Sequence, residues 1–269
     1  MSFDNAYEAL DQDGGAHWAF GTGFSDPLAG IPAPPAGPEL AARCLALGDD
    51  ALIMSHRIQQ WCTRAPELED EVALANIALD LLGQARLLLS RSGQDEDALA
   101  FLRDPAEFRS VALVEAPNGD FADLVARLLV FSTWRLALLR SLAGDADELL
   151  SAIAAKGVKE VTYHRDYAAR WTLRLGDGTD HSHARMRQAL DDLWPLVGGL
   201  FTRDEIGLDP AALRAEFDAV IAEVLHAATL TVPADAPGEP VRRGRHDPAL
   251  VPLLEEMQSA ARALPGATW

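Results

Sequence analysis

Residues 73–89 read ALANIALDLLGQARLLL, and this stretch decides the fold of the chain. Its apolar residues are so dense that they predict a helix buried on nearly every side. Three polar residues, Asn76, Asp80 and Gln84, interrupt it at intervals of four, which places them in one line on one helix face. In a helical bundle, such a line either holds metal or forms hydrogen bonds that join neighbouring helices.

Three further long helices are predicted to pack with this one, which itself runs from just after Pro66 to about Ser92. Apolar residues at helical spacing place them at about 39–62, 120–143 and 146–175. Two short helices precede a turn at Asn118-Gly119. Later helices are expected over 181–202, with a kink at Pro195, and after the Asp-Pro pairs at 209–210 and 247–248. Since no strand pattern is visible, we predict an all-α four-helix bundle with additional C-terminal helices.

The first 38 residues differ in composition from the rest. Glycine and proline occur too often in GTGFSDPLAGIPAPPAGP for a helix or strand to form there. We therefore predict a flexible tail over 1–38 and one helical domain over 39–269. The aromatic residues Trp18, Phe20 and Phe24 leave open the alternative of an arm that lies on the body or on a partner.

Charge and targeting signals exclude several classes of function. The 269 residues carry a net charge of −18, which repels nucleic acid and anionic membranes, so we expect neither as a partner. Cys44 and Cys62 are too few for a disulfide framework and are expected to stay reduced. The acidic N-terminus lacks the features of a signal peptide, and we expect no apolar run long enough to span a membrane. A cytoplasmic protein is therefore predicted.

A second polar pair lies on the last of the four long helices, where Glu160 and His164 are also four residues apart. Inward-facing carboxylates and imidazoles on two helices resemble a ferritin-like di-iron protein, in which two helices bear Glu-x-x-His and two more each give one carboxylate. The three-residue spacing is not satisfied here. A glycine stands three residues after Asp80, and the residues that precede the two nitrogen-bearing positions by three are Leu81 and Val161.

This shortage of ligands favours a buried polar network over a metal site. A di-iron centre needs about four carboxylates and usually two imidazoles, whereas only one imidazole, that of His164, can be placed beside these carboxylates. The favoured interpretation is a hydrogen-bonded set formed by Asn76, Asp80, Gln84, Glu160 and His164. A di-iron site and another kind of ligand site remain as alternatives.

Longer stretches of the chain resemble a known family. From about Leu45 to Trp269 they are similar, in order, to the structural, non-catalytic, C-type subunits of the bacterial ring-1,2-phenylacetyl-CoA epoxidases, which are multicomponent monooxygenases of phenylacetate catabolism. The matching stretches are LGDDALIMSHRIQQWCTRAPELEDEVALANIALDLLGQAR, FLRDPAEF, VEAPNGDFADLVAR, KEVTYHRDYAARWTLRLGDGTD and EMQSAARALPGATW.

The resemblance implies a ferritin-like fold and a partner. In that family a ferritin-like catalytic subunit holds the di-iron centre, a second ferritin-like subunit pairs with it in a heterodimer or higher oligomer, and a reductase docks transiently. On that comparison, the first Glu and His of the catalytic subunit fall at Leu81 and Gln84 here, and the second pair falls at Val161 and His164. These degenerate di-iron positions imply that this chain has no catalytic residue, no metal ligand and no cofactor of its own.

Three functional hypotheses follow. The leading one is a scaffold that pairs with the catalytic subunit. The runner-up is a di-iron oxygenase or oxidase active on its own, and the third is a homodimeric helical adaptor. The runner-up would need Asp80, Glu160 and His164 as ligands, together with carboxylates such as Asp49, Asp50 or Asp123.

Two groups of residues could serve such a scaffold. The aromatic residues Phe121, Phe131 and Trp134 are consistent with either core or interface. The basic stretches KGVK and RRGRH could meet phosphate, although solvated surface charge is the simpler interpretation.

Overall fold

The computed structural model describes Leu28, Gly30, Ile31 and residues 33–265. The chain divides after Gly30, and all helices reported below lie in the second unit, Ile31–Trp269. The expected tail over 1–38 lies mostly outside the described residues, so the predicted division of the chain stays a prediction. The described part contains helices and no strand, which confirms the all-α class.

The helices follow one another through short connections. The α-helices are α1 (Pro38–Gln59), α2 (Leu68–Arg91), α3 (Glu96–Phe101), α4 (Ala112–Glu115), α5 (Phe121–Leu142), α6 (Glu148–Gly176), α7 (Asp180–Leu193), α8 (Pro210–Ala227) and α9 (Leu250–Ala263). Two 3-10 helices cover Pro105–Glu107 and Trp194–Phe201.

Four long helices form the predicted bundle. Helix α1 packs along α2, α5 packs along α6, and α2 lies beside α6. Helices α7 and α8 contact the α5–α6 pair, while α9 contacts α3. A Cβ atom added at Gly48 would lie 2.8 Å from Leu89 Cδ2, so the glycine lets α1 and α2 approach closely at this point.

Helix α5 lies at the centre of this arrangement. Almost all of its residues are buried, because it contacts α6 along its length and also α7 and α8. Its start is fixed by a capping box, in which Asp120 accepts from backbone N–H groups and Asp123 accepts from the N–H of Asp120. Phe131 and Trp134 are both 1% exposed, so the alternative that they form an interface is wrong.

Two predicted helix boundaries differ from the structure. The helix expected over 181–202 ends at Leu193 and continues as a 3-10 helix, because Pro195 has no N–H and its ring disfavours the interior of an α-helix. The last helix begins at Leu250, two residues after Pro248. Cys44 and Cys62 are both free, as expected.

Helix α2 departs from expectation in its exposure. Among the described helices it is long and apolar enough, by length and composition alone, to cross a membrane, so the expectation that no such stretch exists is wrong. It packs against α1 and α6 within the bundle. Yet only 44% of its most apolar window is buried, and the prediction of burial on nearly every side is therefore wrong as well.

Candidate functional site

The polar residues of α2 and α6 meet where these two helices pack together. Asp80 Oδ2 lies 3.0 Å from His164 Nε2, and Gln84 Nε2 donates to Glu160 Oε2 at 2.9 Å. The helices are antiparallel, since the later residue of α2 meets the earlier residue of α6. The structure thus brings four of the five residues predicted as a polar network into two hydrogen-bonded pairs.

The fifth residue, Asn76, does not belong to this buried set. It is exposed to solvent on α2, so its inclusion in the network was wrong. Four residues exceed one helical turn by about 40°, and Gln84 therefore lies about 80° further round the helix than Asn76. Because of this rotation, Gln84 is buried, Asp80 is half-buried and Asn76 faces outward.

A guanidinium from α5 completes the polar centre. Arg135 is 0% exposed. Its Nε donates to Gln84 Oε1 at 3.0 Å, and its Nη1 donates to the carbonyl of Leu47 in α1 at 3.3 Å. Burial lowers the pKa of Arg135 to about 10, against the attraction of Asp50, and so the group keeps its charge at neutral pH. A fixed cation therefore lies among α1, α2 and α5.

Two positions beside these polar pairs are apolar. Leu81 and Val161 are both fully buried, and each stands three residues before a member of the pairs, Gln84 and His164. A hydrocarbon side chain offers no electron pair to a metal ion. Of the four positions that the family comparison assigns to Glu-x-x-His pairs, only His164 can act as a metal ligand of the expected type.

The other carboxylates considered as ligands are engaged elsewhere. Asp49 accepts from Arg103 Nη1 at 3.0 Å, and Asp50 accepts from Arg243 Nη1 at 2.8 Å. Burial raises the pKa of both carboxyl groups, and the paired guanidinium groups act in the opposite direction. Asp123 caps the start of α5. The structure does not bring these three residues together with the pairs formed between α2 and α6.

The donor set does not fit a di-iron centre. Two iron ions need several anionic ligands to offset their charge, and a buried guanidinium among the same helices repels a cation. Among the residues that the structure describes, no three His, Cys, Asp or Glu side chains form a group that could hold a metal ion.

Arg135 was not predicted as part of this centre. The available signal was a charged residue within an apolar run on a helix predicted to be buried, FSTWRLALL, because such a charge must find a partner in the interior. Arg127 on the same helix follows the same rule. It is 2% exposed and donates to the carbonyl of Ala116 and to the side chain of Asn118.

The basic stretches lie in different environments. In KGVK, Lys156 pairs with Glu160. In RRGRH, the side chain of Arg243 is buried and joins Asp50 to Asp204, so its interpretation as solvated surface charge is wrong. The neighbouring Arg242 and Arg245 are exposed.

Comparison with known proteins identifies the family of the chain. Residues 34–269 match the family described as phenylacetic acid catabolic protein. A protein of Escherichia coli (strain K12), the C component of 1,2-phenylacetyl-CoA epoxidase, is 44% identical over 246 residues, which cover 86% of this chain and 99% of the relative. The resemblance inferred from the sequence is confirmed.

Proposed function

This chain belongs to the phenylacetic acid catabolic protein family, and on that premise we propose that it is the structural, non-catalytic subunit of a phenylacetyl-CoA epoxidase. In this role it pairs with a ferritin-like catalytic subunit that holds the di-iron centre, and a reductase docks on the complex transiently. The enzyme is the complex, and it acts in the cytoplasm. The 44% identity to a relative named as the C component of such an epoxidase supports this assignment.

One observation carries the proposal that the chain itself is non-catalytic. Arg135 donates to Gln84 in the buried centre of the bundle, where its positive charge opposes the binding of metal cations. The same guanidinium also satisfies the amide oxygen of Gln84, so this acceptor has its hydrogen bond without a metal. The chain then serves its partner as a rigid helical support.

Metal analysis of the chain expressed alone in iron-rich medium tests the non-catalytic role. We expect only a trace of iron per chain and no oxygenase activity with the reductase present. About two irons per chain with turnover would support the alternative of an independent di-iron enzyme, because each ferritin-like site of this class binds a pair of ions.

Co-expression with the catalytic subunit encoded in the same genome tests the pairing. We expect one stable complex on size-exclusion chromatography, with all of the iron bound by the catalytic subunit. If the chain elutes as a homodimer and leaves the catalytic subunit unbound, the adaptor hypothesis replaces this one.

A further inference from the structure

One line of apolar residues along α2 lies outside the core. Helix α2 presents four exposed apolar side chains on one side, and these are called the α2 stripe here: Leu68, Val72, Leu79 and Leu82. Their spacings of four, seven and three residues keep them within an arc of about 80° on the helix. Leu79 is 61% exposed and Val72 is 54% exposed. Tyr163 is also exposed on the neighbouring helix α6.

We propose that the α2 stripe, together with the adjoining surface of α6, is the docking surface for the ferritin-like catalytic subunit. This inference rests on the proposed function, since it takes that subunit as the partner. It deepens the proposed function by assigning the interface to particular helices.

The size of the surface fits a stable interface. A helix of 24 residues is about 36 Å long, and two neighbouring helices span about 20 Å, so the face offers roughly 700 Å². Stable protein interfaces bury about 800 Å² on each partner. The α2–α6 face is thus of the size needed for a heterodimer.

Several charged groups on this face are already paired within the chain. Lys156 pairs with Glu160, and Asp80 is hydrogen-bonded to His164. Near the end of α2, Arg86 Nε lies 2.6 Å from a carboxylate oxygen of Glu96 in α3. Paired charges cost less to bury than single ones, and so a chain with a net charge of −18 presents here a face suited to an apolar partner.

The same features disfavour a membrane as the occupant. Helices that lie on membranes carry lysine and arginine beside their apolar face. The first turn of α2 instead carries Glu69, which is exposed, and Glu71, which is half-buried. An anionic lipid surface would repel this end of the helix.

Matched substitutions test the docking surface in the complete chain. We expect Val72→Glu and Leu79→Glu each to weaken binding of the catalytic subunit at least about 10-fold, because a single carboxylate would be buried in an apolar interface. The controls are Val251→Glu and Leu102→Glu, which change the same residue types at similar exposures of 44% and 60% outside α2 and α6. The affinities of these two controls should stay within about 2-fold of wild type.

A cysteine placed in the stripe gives a second measurement that does not depend on a new charge. In a Cys62→Ser background, the thiol of Leu79→Cys should react with maleimide in the free chain and become protected in the complex. The thiol of Leu102→Cys should react equally in both.

Several results would overturn the proposal. If wild type binds the catalytic subunit and the two stripe variants bind equally well, the interface lies elsewhere and the proposed function stands. If wild type does not bind that subunit at all, both inferences fail. The docking assignment also fails if the stripe variants break a homodimer of this chain, or if they abolish binding to vesicles of phosphatidylcholine and phosphatidylglycerol.

Discussion

Arg135 shows how one side chain changes the chemistry of a bundle. The surrounding helices supply carboxylates and amides, which in a related site could bind metal, but the guanidinium brings its own charge and five N–H donors. Gln84 and the carbonyl of Leu47 accept two of the resulting hydrogen bonds. At this scale, the difference between a cofactor site and a structural polar centre is the identity of one buried cation and two apolar neighbours.

Replacement of this cation should destabilise the chain. In Arg135→Met, the side chain has a similar length, but the buried Oε1 of Gln84 loses its donor, while the carbonyl of Leu47 keeps its hydrogen bond within α1. Because an unpaired buried acceptor costs about 1–3 kcal/mol, we expect the free energy of unfolding in urea to fall by about that amount. Arg140→Met on the same helix is the control, because its ion pair with Glu216 is exposed. An unchanged stability of Arg135→Met would contradict this account of the centre.

Asp80 should matter for stability and not for turnover. Asp80→Leu leaves Nε2 of the buried His164 without its partner, and we expect a loss of about 1 kcal/mol in the free energy of unfolding. Turnover of the assembled enzyme, expressed per iron, should stay at the wild-type value. A complex that assembles normally but has lost its activity would argue for a direct role in catalysis.

Desolvation of the His56 imidazole predicts how the free energy of unfolding depends on pH. Desolvation lowers the pKa of His56 below its ordinary value of 6.5, despite the nearby Glu256. Below about pH 6.5, the unfolded chain therefore binds a proton that the folded chain resists, and the free energy of unfolding decreases as the pH falls. His56→Gln should lose less stability than wild type between about pH 7.5 and pH 5.5. An identical pH dependence of wild type and His56→Gln would exclude this effect of His56.

At the scale of elements, periodicity predicted the type of each long helix but not its neighbours. The four bundle helices appear where apolar spacing placed them, because that spacing reports burial of one helix face. It could not show which faces are covered by other parts of the same chain. Consequently α2, which looked buried on nearly every side, has the exposed stripe, while Phe131 and Trp134 of α5 are core. For the same reason, the sequence alone could not predict the pairing of Gln84 with Arg135, since 51 residues separate them along the chain.

The irregular segment between α8 and α9 is attached to the bundle by one residue, Arg243. Arg243 Nη1 binds Asp50 of α1, and its Nε lies 2.9 Å from Asp204. Together these contacts attach an irregular segment to the bundle, and Asp50 is fully buried beneath it. This role was not predicted, because the spacing of charges in RRGRH is that of a surface cluster and does not show which arginine turns inward.

Loss of this attachment should destabilise the whole chain. Arg243→Met removes the ion-pair partner of the buried Asp50 and leaves only the attraction of Arg135 to this carboxylate, and we expect the free energy of unfolding to decrease by about 3–5 kcal/mol. Arg242→Met, one residue earlier and exposed, should leave chemical unfolding unchanged. Equal stabilities of the two variants would show that Arg243 does not hold the segment.

At the scale of the whole molecule, the described residues form a helical bundle with a largely apolar core, a small buried polar centre and an exposed apolar stripe along α2. The interior is stabilised by internal ion pairs and hydrogen bonds, while the stripe along α2 is not covered by any other described part of the chain. Both features support the proposal of a subunit that gives rigidity to a partner and does no chemistry itself. The family match and the 44% identity to an epoxidase component support the expectation that this partner is another subunit of the same kind of epoxidase.

The location of iron in the assembled complex tests this account most directly. Crystals of the complex measured on both sides of the iron absorption edge should show anomalous density only in the catalytic subunit, with none between α2, α5 and α6 of this chain. Two strong anomalous peaks between those helices, near Gln84 and His164, would contradict the account.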